Sequence, residues 1–158
     1  MRPGVRLAID VGTVRIGVAR SDALGMLASP LETVQRGDGD VERIVAIAKE
    51  EGAIDVYVGL PVALSGRSTA STDDAVEFAR RIALQLPGIV RLIDERLTTA
   101  SAYGQLRASG RNSKRGRAVV DQIAATIILE HALETERRGG VRPGAEVLDS
   151  SDGRESGR

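Results

Sequence analysis

Hydrophobic residues in the first third of the chain gather in short runs that predict β-strands. We expect strands at Val5–Asp10, Arg15–Arg20 and Leu27–Val34. The first run is short, apolar and bounded by glycines, the second follows a tight turn, and the third alternates enough to form a strand. The tight turn between the first two runs predicts an antiparallel hairpin. Pro30 lacks a backbone donor, which favours an edge position for the third strand. The three strands should therefore form a meander.

After this meander the hydrophobic period becomes helical. Apolar residues at helical spacing predict a helix over Val41–Ala48, with Asp38 and Asp40 as candidate caps and Gly52 as its end. Further along, the pattern predicts a strand at Ile54–Leu60, a loop at Pro61–Thr72, a helix at Ala75–Leu86, a strand at Ile89–Asp94, a helix at Thr98–Ala108 and a last long helix striped from Val120 to Ile128. The order β-β-β-α-β-α-β-α-α predicts an α/β fold with a mixed five-stranded sheet, a three-strand antiparallel meander plus two parallel strands, flanked by helices.

The domain organisation follows from the same pattern. A chain of 158 residues is the usual length of one domain. From Gly139 onward it is rich in Gly, Ser, Asp and Arg and poor in large apolar residues. We therefore predict one domain over residues 1–138 and a disordered tail over residues 139–158.

Composition narrows the chemistry that the domain can perform. The chain has no Cys and one His, which excludes disulfides, thiolate metal sites and His-rich metal sites. The 22 basic and 22 acidic residues balance, which argues against binding of polyanions by bulk charge. No signal segment is evident and no apolar run approaches the ~20 residues that span a membrane. We expect a cytoplasmic protein without a membrane partner, whose catalysis rests on carboxylates, hydroxyls, Lys or Arg.

Four acidic residues stand where predicted elements begin or end. Asp10 ends a strand, Asp94 and Glu95 end another, and Asp121 lies near the start of the last helix. Each alone has an ordinary explanation, namely a turn residue, a surface ion pair or an acid favoured by the helix dipole. Ligands gather beyond the carboxyl ends of parallel strands, so three carboxylates could form one cluster there. Such a cluster suits Mg²⁺ or Mn²⁺ and the hydrolysis of phosphodiesters.

Hydroxyl and basic residues near this predicted rim are candidates for phosphate contacts. The hydroxyl candidates are Thr13, Ser21, Thr98 and Thr99. Thr98 could equally cap the next helix. The segment Arg107–Arg117 carries five basic residues without an acid and leads into the helix of Asp121. Its basic groups could hold the phosphates of a nucleic acid beside the carboxylates, and the residues that we single out are Lys114, Arg115 and Arg117.

Four sequence blocks resemble the YqgF/RuvX family of the ribonuclease-H-like superfamily. The blocks are AIDVGTVRIGVARSD (Ala8–Asp22), VGLPVALSG (Val58–Gly66), DERLTTASA (Asp94–Ala102) and VVDQIAATIIL (Val119–Leu129). They occur in the family's order and extend over nearly the whole chain up to about residue 131. The resemblance implies a ribonuclease-H-like fold and a divalent-metal nuclease. Members are proposed to mature the 5′ end of precursor 16S ribosomal RNA, and some are described as Holliday junction resolvases.

The resemblance also implies roles for individual residues. It places the acidic ligands of one or two Mg²⁺ or Mn²⁺ ions at Asp10, Glu95 and Asp121, and so selects Glu95 over Asp94. In the resulting hypothesis, Arg15 and the segment Lys114–Arg117 orient the nucleic acid, which is precursor ribosomal RNA or a four-way DNA junction. Symmetric cutting of a junction would favour a homodimer. The sequence shows no interface, so the oligomeric state stays open.

Two other functions are compatible with parts of the sequence. The run from Asp10 to Gly17 resembles the phosphate-binding hairpin of actin-like and sugar-kinase ATPases, but those proteins enclose the nucleotide between two such domains. A non-catalytic nucleic-acid or ribosome-assembly module is the other alternative. The presence of all three acids argues against a loss of catalysis. RNA and branched DNA cannot be distinguished, because specificity lies in loops such as Pro61–Thr72.

Overall fold

A computed structural model of the chain describes residues 1–100 and 114–147, and for residues 114–118 it describes only the helical backbone. The strands are β1 (Arg6–Val11), β2 (Arg15–Ser21), β3 (Ala28–Gln35), β4 (Asp55–Leu60), β5 (Val90–Asp94) and β6 (Ala145–Glu146). The helices are α1 (Asp40–Glu51), α2 (Ala70–Ala83) and α3 (Lys114–Gly139), with a short 3-10 helix at Glu95–Leu97. No helix within these described ranges is both long and apolar enough to cross a membrane.

The strands form one mixed sheet in the order β3-β2-β1-β4-β5-β6. β1, β2 and β3 make the predicted antiparallel meander, and β4 and β5 continue the sheet in parallel with β1. Pro30 does lie in the edge strand β3, beside a bulge. The predicted count of five strands is wrong, because the described part of the chain contains a sixth strand, β6, that pairs antiparallel with β5. β6 was not predicted, because its two residues, Ala145 and Glu146, do not form an apolar run.

Apolar side chains cover both faces of the sheet. On one face, β-strand residues pack with α1 and α2 around a core that includes Ile9, Val58 and Phe78. On the other face, Ala8 and Tyr57 pack against the apolar stripe of α3, which includes Ile128. Successive strand residues point to opposite faces, so β1 contributes to both cores. This three-layer arrangement agrees with the predicted α/β class.

The ends of the helices differ from the predictions at several positions. α1 ends at Gly52 as predicted, but its N-cap is Gly39 and no side chain caps it. α2 begins at Ala70, five residues before the predicted helix, because Thr69 and Thr72 form a reciprocal cap. The end of the predicted loop Pro61–Thr72 is therefore helical. The predicted helix at Thr98–Ala108 falls mostly on residues outside the described ranges.

A network of ion pairs joins several elements at the end of the sheet where β1 and β4 begin. The buried carboxylates of Asp55 and Glu136 are at its centre. The arginines that contact them are Arg2, Arg6 and Arg142. Arg142 and the edge strand β6 both follow residue 138, and Arg91 on β5 donates hydrogen bonds to the carbonyls of Pro143 and Gly144. The domain boundary at residue 138 stays a prediction.

Candidate active site

Asp10 lies near the carboxyl end of β1, in the middle of the sheet. Its side chain is on the same face as Ala8, because residues two apart in a strand share a face. Ala8 packs in the α3 core, so Asp10 also faces the α3 layer. Its partner in β2 is Gly17, and Asp10 is only 3% exposed. The sequence predicted an acid at a strand end, and the structure buries it beneath a helix.

Gly17 determines how closely α3 approaches β2. A Cβ built on Gly17 would overlap with the backbone carbonyl of Asp121. Only glycine therefore permits the observed contact between β2 and the first part of α3. Because Gly17 is the partner of Asp10, this contact brings the backbone of Asp121 over the strand position next to Asp10. Asp121 is fully buried.

Gly59 plays the corresponding part on the other side of Asp10. Ile9 pairs with Val58 in the parallel ladder between β1 and β4, so Gly59 is the β4 residue beside Asp10. A Cβ on Gly59 would lie 2.8 Å from Oε2 of Glu95 and 2.6 Å from Cδ1 of Ile128. Because Gly59 has no Cβ, the Glu95 carboxylate can lie against the backbone of β4. Glu95 is 6% exposed.

These contacts place all three predicted acids on the α3 side of the sheet, around the end of β1. Gly17 and Gly59 were not identified from the sequence, although a glycine inside a strand often marks a close approach of another segment. Within residues 1–100 and 114–147, no three His, Cys, Asp or Glu side chains form a group that could hold a metal ion. The metal-ligand roles of Asp10, Glu95 and Asp121 therefore stay predictions. The oxygen donors themselves have the chemistry that Mg²⁺ and Mn²⁺ prefer.

Asp94 and Glu95 have different surroundings, which bears on the choice between them. Asp94 ends β5 and accepts hydrogen bonds from the guanidinium of Arg96, with Nη2 2.6 Å from Oδ2. The hydrogen bonds from Arg96 lower the pKa of Asp94 below its ordinary value. The Asp94 side chain is 26% exposed, whereas Glu95 is buried beside Gly59. The environment favours Glu95 as the member of the buried group.

Arg15, which the sequence assigned to nucleic-acid binding, is mostly buried. Its Nε donates to Oδ2 of Asp121 at 2.7 Å, and the residue is 8% exposed. The ion pair joins the first residue of β2 to α3 across 106 positions of sequence. The sequence did not predict this pair, because no local pattern relates residues that far apart. A contact of Arg15 with nucleic acid stays a prediction.

The other predicted contacts are placed in part. The Thr98 hydroxyl donates to the Glu95 carbonyl at 3.0 Å and accepts from the Ala100 amide at 3.1 Å. Thr98 therefore ties the end of the 3-10 helix to the following residues. Its alternative role as the cap of the next helix stays a prediction, because that helix falls mostly outside the described ranges. Thr99 is exposed. The side chains of Lys114, Arg115 and Arg117 lie outside the described part of the chain, where only the backbone of α3 is given.

The sheet order, the meander and the helix that packs over the central acid define the chain as a ribonuclease-H-like protein. A solved structure with this fold is Thermus thermophilus RuvC in complex with a Holliday junction substrate, which superposes with a TM-score of 0.55 at 17% identity, over 88% of this chain and 99% of that chain. The RuvX family model, described as Holliday junction resolvase, matches residues 4–135. The chain belongs to this family.

Individual relatives agree with the family assignment. A protein of Clavibacter michiganensis subsp. michiganensis, named "Putative pre-16S rRNA nuclease", is 60% identical over 150 residues that cover 93% of each chain. A relative of the same name in Mycolicibacterium smegmatis is 49% identical over 140 residues, covering 85% of this chain and 82% of that protein. These matches confirm the resemblance seen in the four sequence blocks and place the chain among nucleases, which are hydrolases.

Proposed function

We propose that this chain is a divalent-metal-dependent nuclease that cleaves phosphodiester bonds during 5′-end processing of precursor 16S ribosomal RNA. The observation that carries the proposal is the position of Asp10 between Gly17 and Gly59. Those glycines admit Asp121 on one side of Asp10 and Glu95 on the other. Relatives that match over 93% and 82% of their own length carry the name of this activity.

The donor chemistry of the three acids fits a hard divalent cation. Asp10, Glu95 and Asp121 supply carboxylate oxygens, which are the preferred ligands of Mg²⁺ and Mn²⁺. A bound cation would lower the pKa of a water molecule and offset the negative charge that develops on the phosphate. Asp10 would orient the reacting groups from β1 and Glu95 from the 3-10 helix after β5, while α3 holds Asp121 above them.

Contacts to the nucleic acid form the second part of the proposal. Arg15, Thr98 and Thr99 are the candidates on the sheet side, and Lys114, Arg115 and Arg117 are those at the start of α3. Their cationic and hydroxyl groups would contact phosphates, which positions the strand without reading its sequence.

The test is cleavage of a 5′-extended 16S precursor RNA by the purified chain in the presence of Mn²⁺. We expect a shortened 5′ end with Mn²⁺ and no cleavage after chelation by EDTA. Cleavage that continues in EDTA would contradict the proposed metal dependence. Failure to cleave with metal present, while a known nuclease cuts the same RNA, would contradict the processing function.

Resolution of four-way DNA junctions is a second candidate, and it is favoured by the match to the family described as Holliday junction resolvase. Both reactions break the same type of bond, so the carboxylate group serves either. Junction resolution requires two symmetric cuts, which a homodimer would provide. A competition assay that offers the RNA and the junction together identifies the preferred substrate, and sedimentation of the protein–junction complex tests the dimer.

A further inference from the structure

The ion pair between Arg15 and Asp121 involves a residue that the proposed function also assigns to the metal. Arg15 Nε lies 2.7 Å from Oδ2 of Asp121, and the two side chains are 9% and 0% exposed. An oxygen that accepts a short hydrogen bond from a guanidinium has less electron density available for a cation. The Arg15 guanidinium and a divalent metal ion would therefore compete for the Asp121 carboxylate.

The same strand fixes the backbone of Asp121. Gly17 is two residues after Arg15, so both positions are on the α3 face of β2. A Cβ on Gly17 would overlap with the Asp121 carbonyl, which shows that α3 lies directly on the strand. The Asp121 backbone has little freedom to move, so exchange between the guanidinium and a metal must occur by side-chain adjustment.

We propose that Arg15 is a positioning residue that competes with the divalent cation for the Asp121 carboxylate. In the cation-free protein it balances the charge of this buried acid, and in the loaded protein it lowers the affinity for the cation. This inference rests on the proposed function, because it takes Asp121 as a metal ligand. It gives Arg15 a role that requires no contact with nucleic acid.

The physical basis is the cost of burying charge. A buried carboxylate that loses a charged partner is strongly destabilised, and Arg15 is a charged partner of Asp121. A divalent cation at the same carboxylate would meet the positive charge of Arg15 at short range, and this repulsion is screened little in a buried site. Arg15 therefore stabilises the fold without metal at the expense of metal affinity. Removal of the Arg15 charge should lower the stability of the metal-free protein and raise its affinity for the metal ion.

The experiment measures Mn²⁺ binding to the full-length protein by isothermal titration calorimetry, without nucleic acid. Arg15→Gln removes the charge, and Arg15→Lys retains it. Arg20→Gln is a matched control on the same strand, since Arg20 pairs with Glu51 at the exposed surface. We expect Arg15→Gln to bind Mn²⁺ about tenfold more tightly than wild type. Arg15→Lys and Arg20→Gln should remain near the wild-type affinity.

Thermal denaturation provides a second readout that does not depend on activity. Without metal, Arg15→Gln should melt below wild type, and Mn²⁺ should raise its melting temperature by more than it raises that of wild type. The double variant Arg15→Gln/Asp121→Asn should recover most of this stability, because neither buried charge remains. Recovery in the double variant shows that the two residues act through each other.

The outcomes separate this inference from the proposed function. Equal or weaker Mn²⁺ binding by folded Arg15→Gln would overturn the competition, even if wild type binds the metal. Absence of Mn²⁺ binding to every form, including wild type, would contradict the metal dependence of the proposed function and the competition with it. If Arg15→Gln does not fold, the double variant decides. A folded double variant, together with a wild-type Mn²⁺ affinity of Arg15→Lys, supports the coupling of Arg15 and Asp121. An unfolded double variant overturns it.

Discussion

Gly17 on β2 and Asp121 on α3 are in direct backbone contact, and this contact determines where the last helix lies on the sheet. Gly17 is also the partner of Asp10 across the β1–β2 ladder. Gly17 therefore brings Asp10 and Asp121, two of the three acids of the candidate site, close to each other. The site depends on the absence of a side chain as much as on the carboxylates themselves.

The first prediction concerns this contact. Gly17→Ala should lower the free energy of unfolding by about 3 kcal/mol, because the added methyl group forces α3 away from β2. Cleavage should fall even where the variant remains folded, since Asp121 moves with the helix. Urea denaturation and a cleavage assay measure the two effects. Gly139→Ala is the control, because a Cβ there has only an ordinary contact with Val141 at 3.7 Å. Equal stability of both variants would show that the helix is not held at Gly17.

The second prediction separates the two adjacent acids after β5. Glu95→Gln should abolish cleavage with little change in fold, because it keeps the shape of the side chain beside Gly59 but removes its charge. Asp94→Asn should retain cleavage, because Asp94 is engaged by Arg96 at the surface. Single-turnover rates of the two variants decide the assignment. Loss of cleavage in Asp94→Asn with retention in Glu95→Gln would reverse it.

The third prediction concerns acid stability and the ion-pair network at the other end of the sheet. Burial alone would raise the pKa of Glu136, but the hydrogen bonds from Arg2 and the charge of Arg6 outweigh it and lower the pKa to about 2. The carboxylate therefore stabilises the fold fully above its ordinary pKa of 4.5, and this contribution disappears as the pH falls from 4.5 through about 2.

The Glu136→Gln variant tests this contribution. At pH 7 it should be less stable than wild type by about 3–5 kcal/mol, because the buried Arg6 loses its partner. The difference should shrink as the pH is lowered from 4.5 toward 2 in urea denaturation. Glu134→Gln is the control, since Glu134 pairs with Arg137 and Arg138 at the surface, where such pairs contribute little. A difference that is constant between pH 7 and pH 2.5 would contradict this account.

The fourth prediction concerns the basic segment before Asp121. Replacing Lys114, Arg115 and Arg117 by Ala should weaken nucleic-acid binding and reduce the slope of log Kd against log salt concentration. The reduction should be about 0.7 for each single-strand phosphate that the protein no longer neutralises. Binding isotherms at several salt concentrations measure the slope. Arg80→Ala/Arg81→Ala is the control, because both residues are exposed on α2, across the sheet from α3. An unchanged slope would mean that the basic segment does not bind phosphates.

Much of the fold could be predicted from local patterns. The apolar run of β1, the tight turn into β2, Pro30 in an edge strand and Gly52 after the end of α1 each follow from interactions within a few residues. The early start of α2 depends on a hydroxyl cap at Thr69, which apolar periodicity does not reveal. The strand β6 was missed because two residues have too little pattern of their own and depend on pairing with β5.

The candidate site was predictable as a set of residues and not as an arrangement. Strand ends and a helix start indicated Asp10, Glu95 and Asp121, and the resemblance to a family selected Glu95. The contacts that organise them connect residues far apart in sequence, namely Gly17 with Asp121, Gly59 with Glu95, and Arg15 with Asp121. Such contacts arise from tertiary packing, so no short window of sequence contains them.

The role of the carboxylates in cleavage is tested most directly by comparing wild type with Asp10→Asn in a Mn²⁺-dependent cleavage assay. Both proteins are offered a 5′-extended 16S precursor RNA and a four-way DNA junction, with circular dichroism to verify the fold. We expect wild type to cleave at least one substrate. We expect Asp10→Asn, which keeps the size of the side chain, to be slower by about a thousandfold or more. Cleavage by Asp10→Asn at the wild-type rate would contradict the carboxylate site.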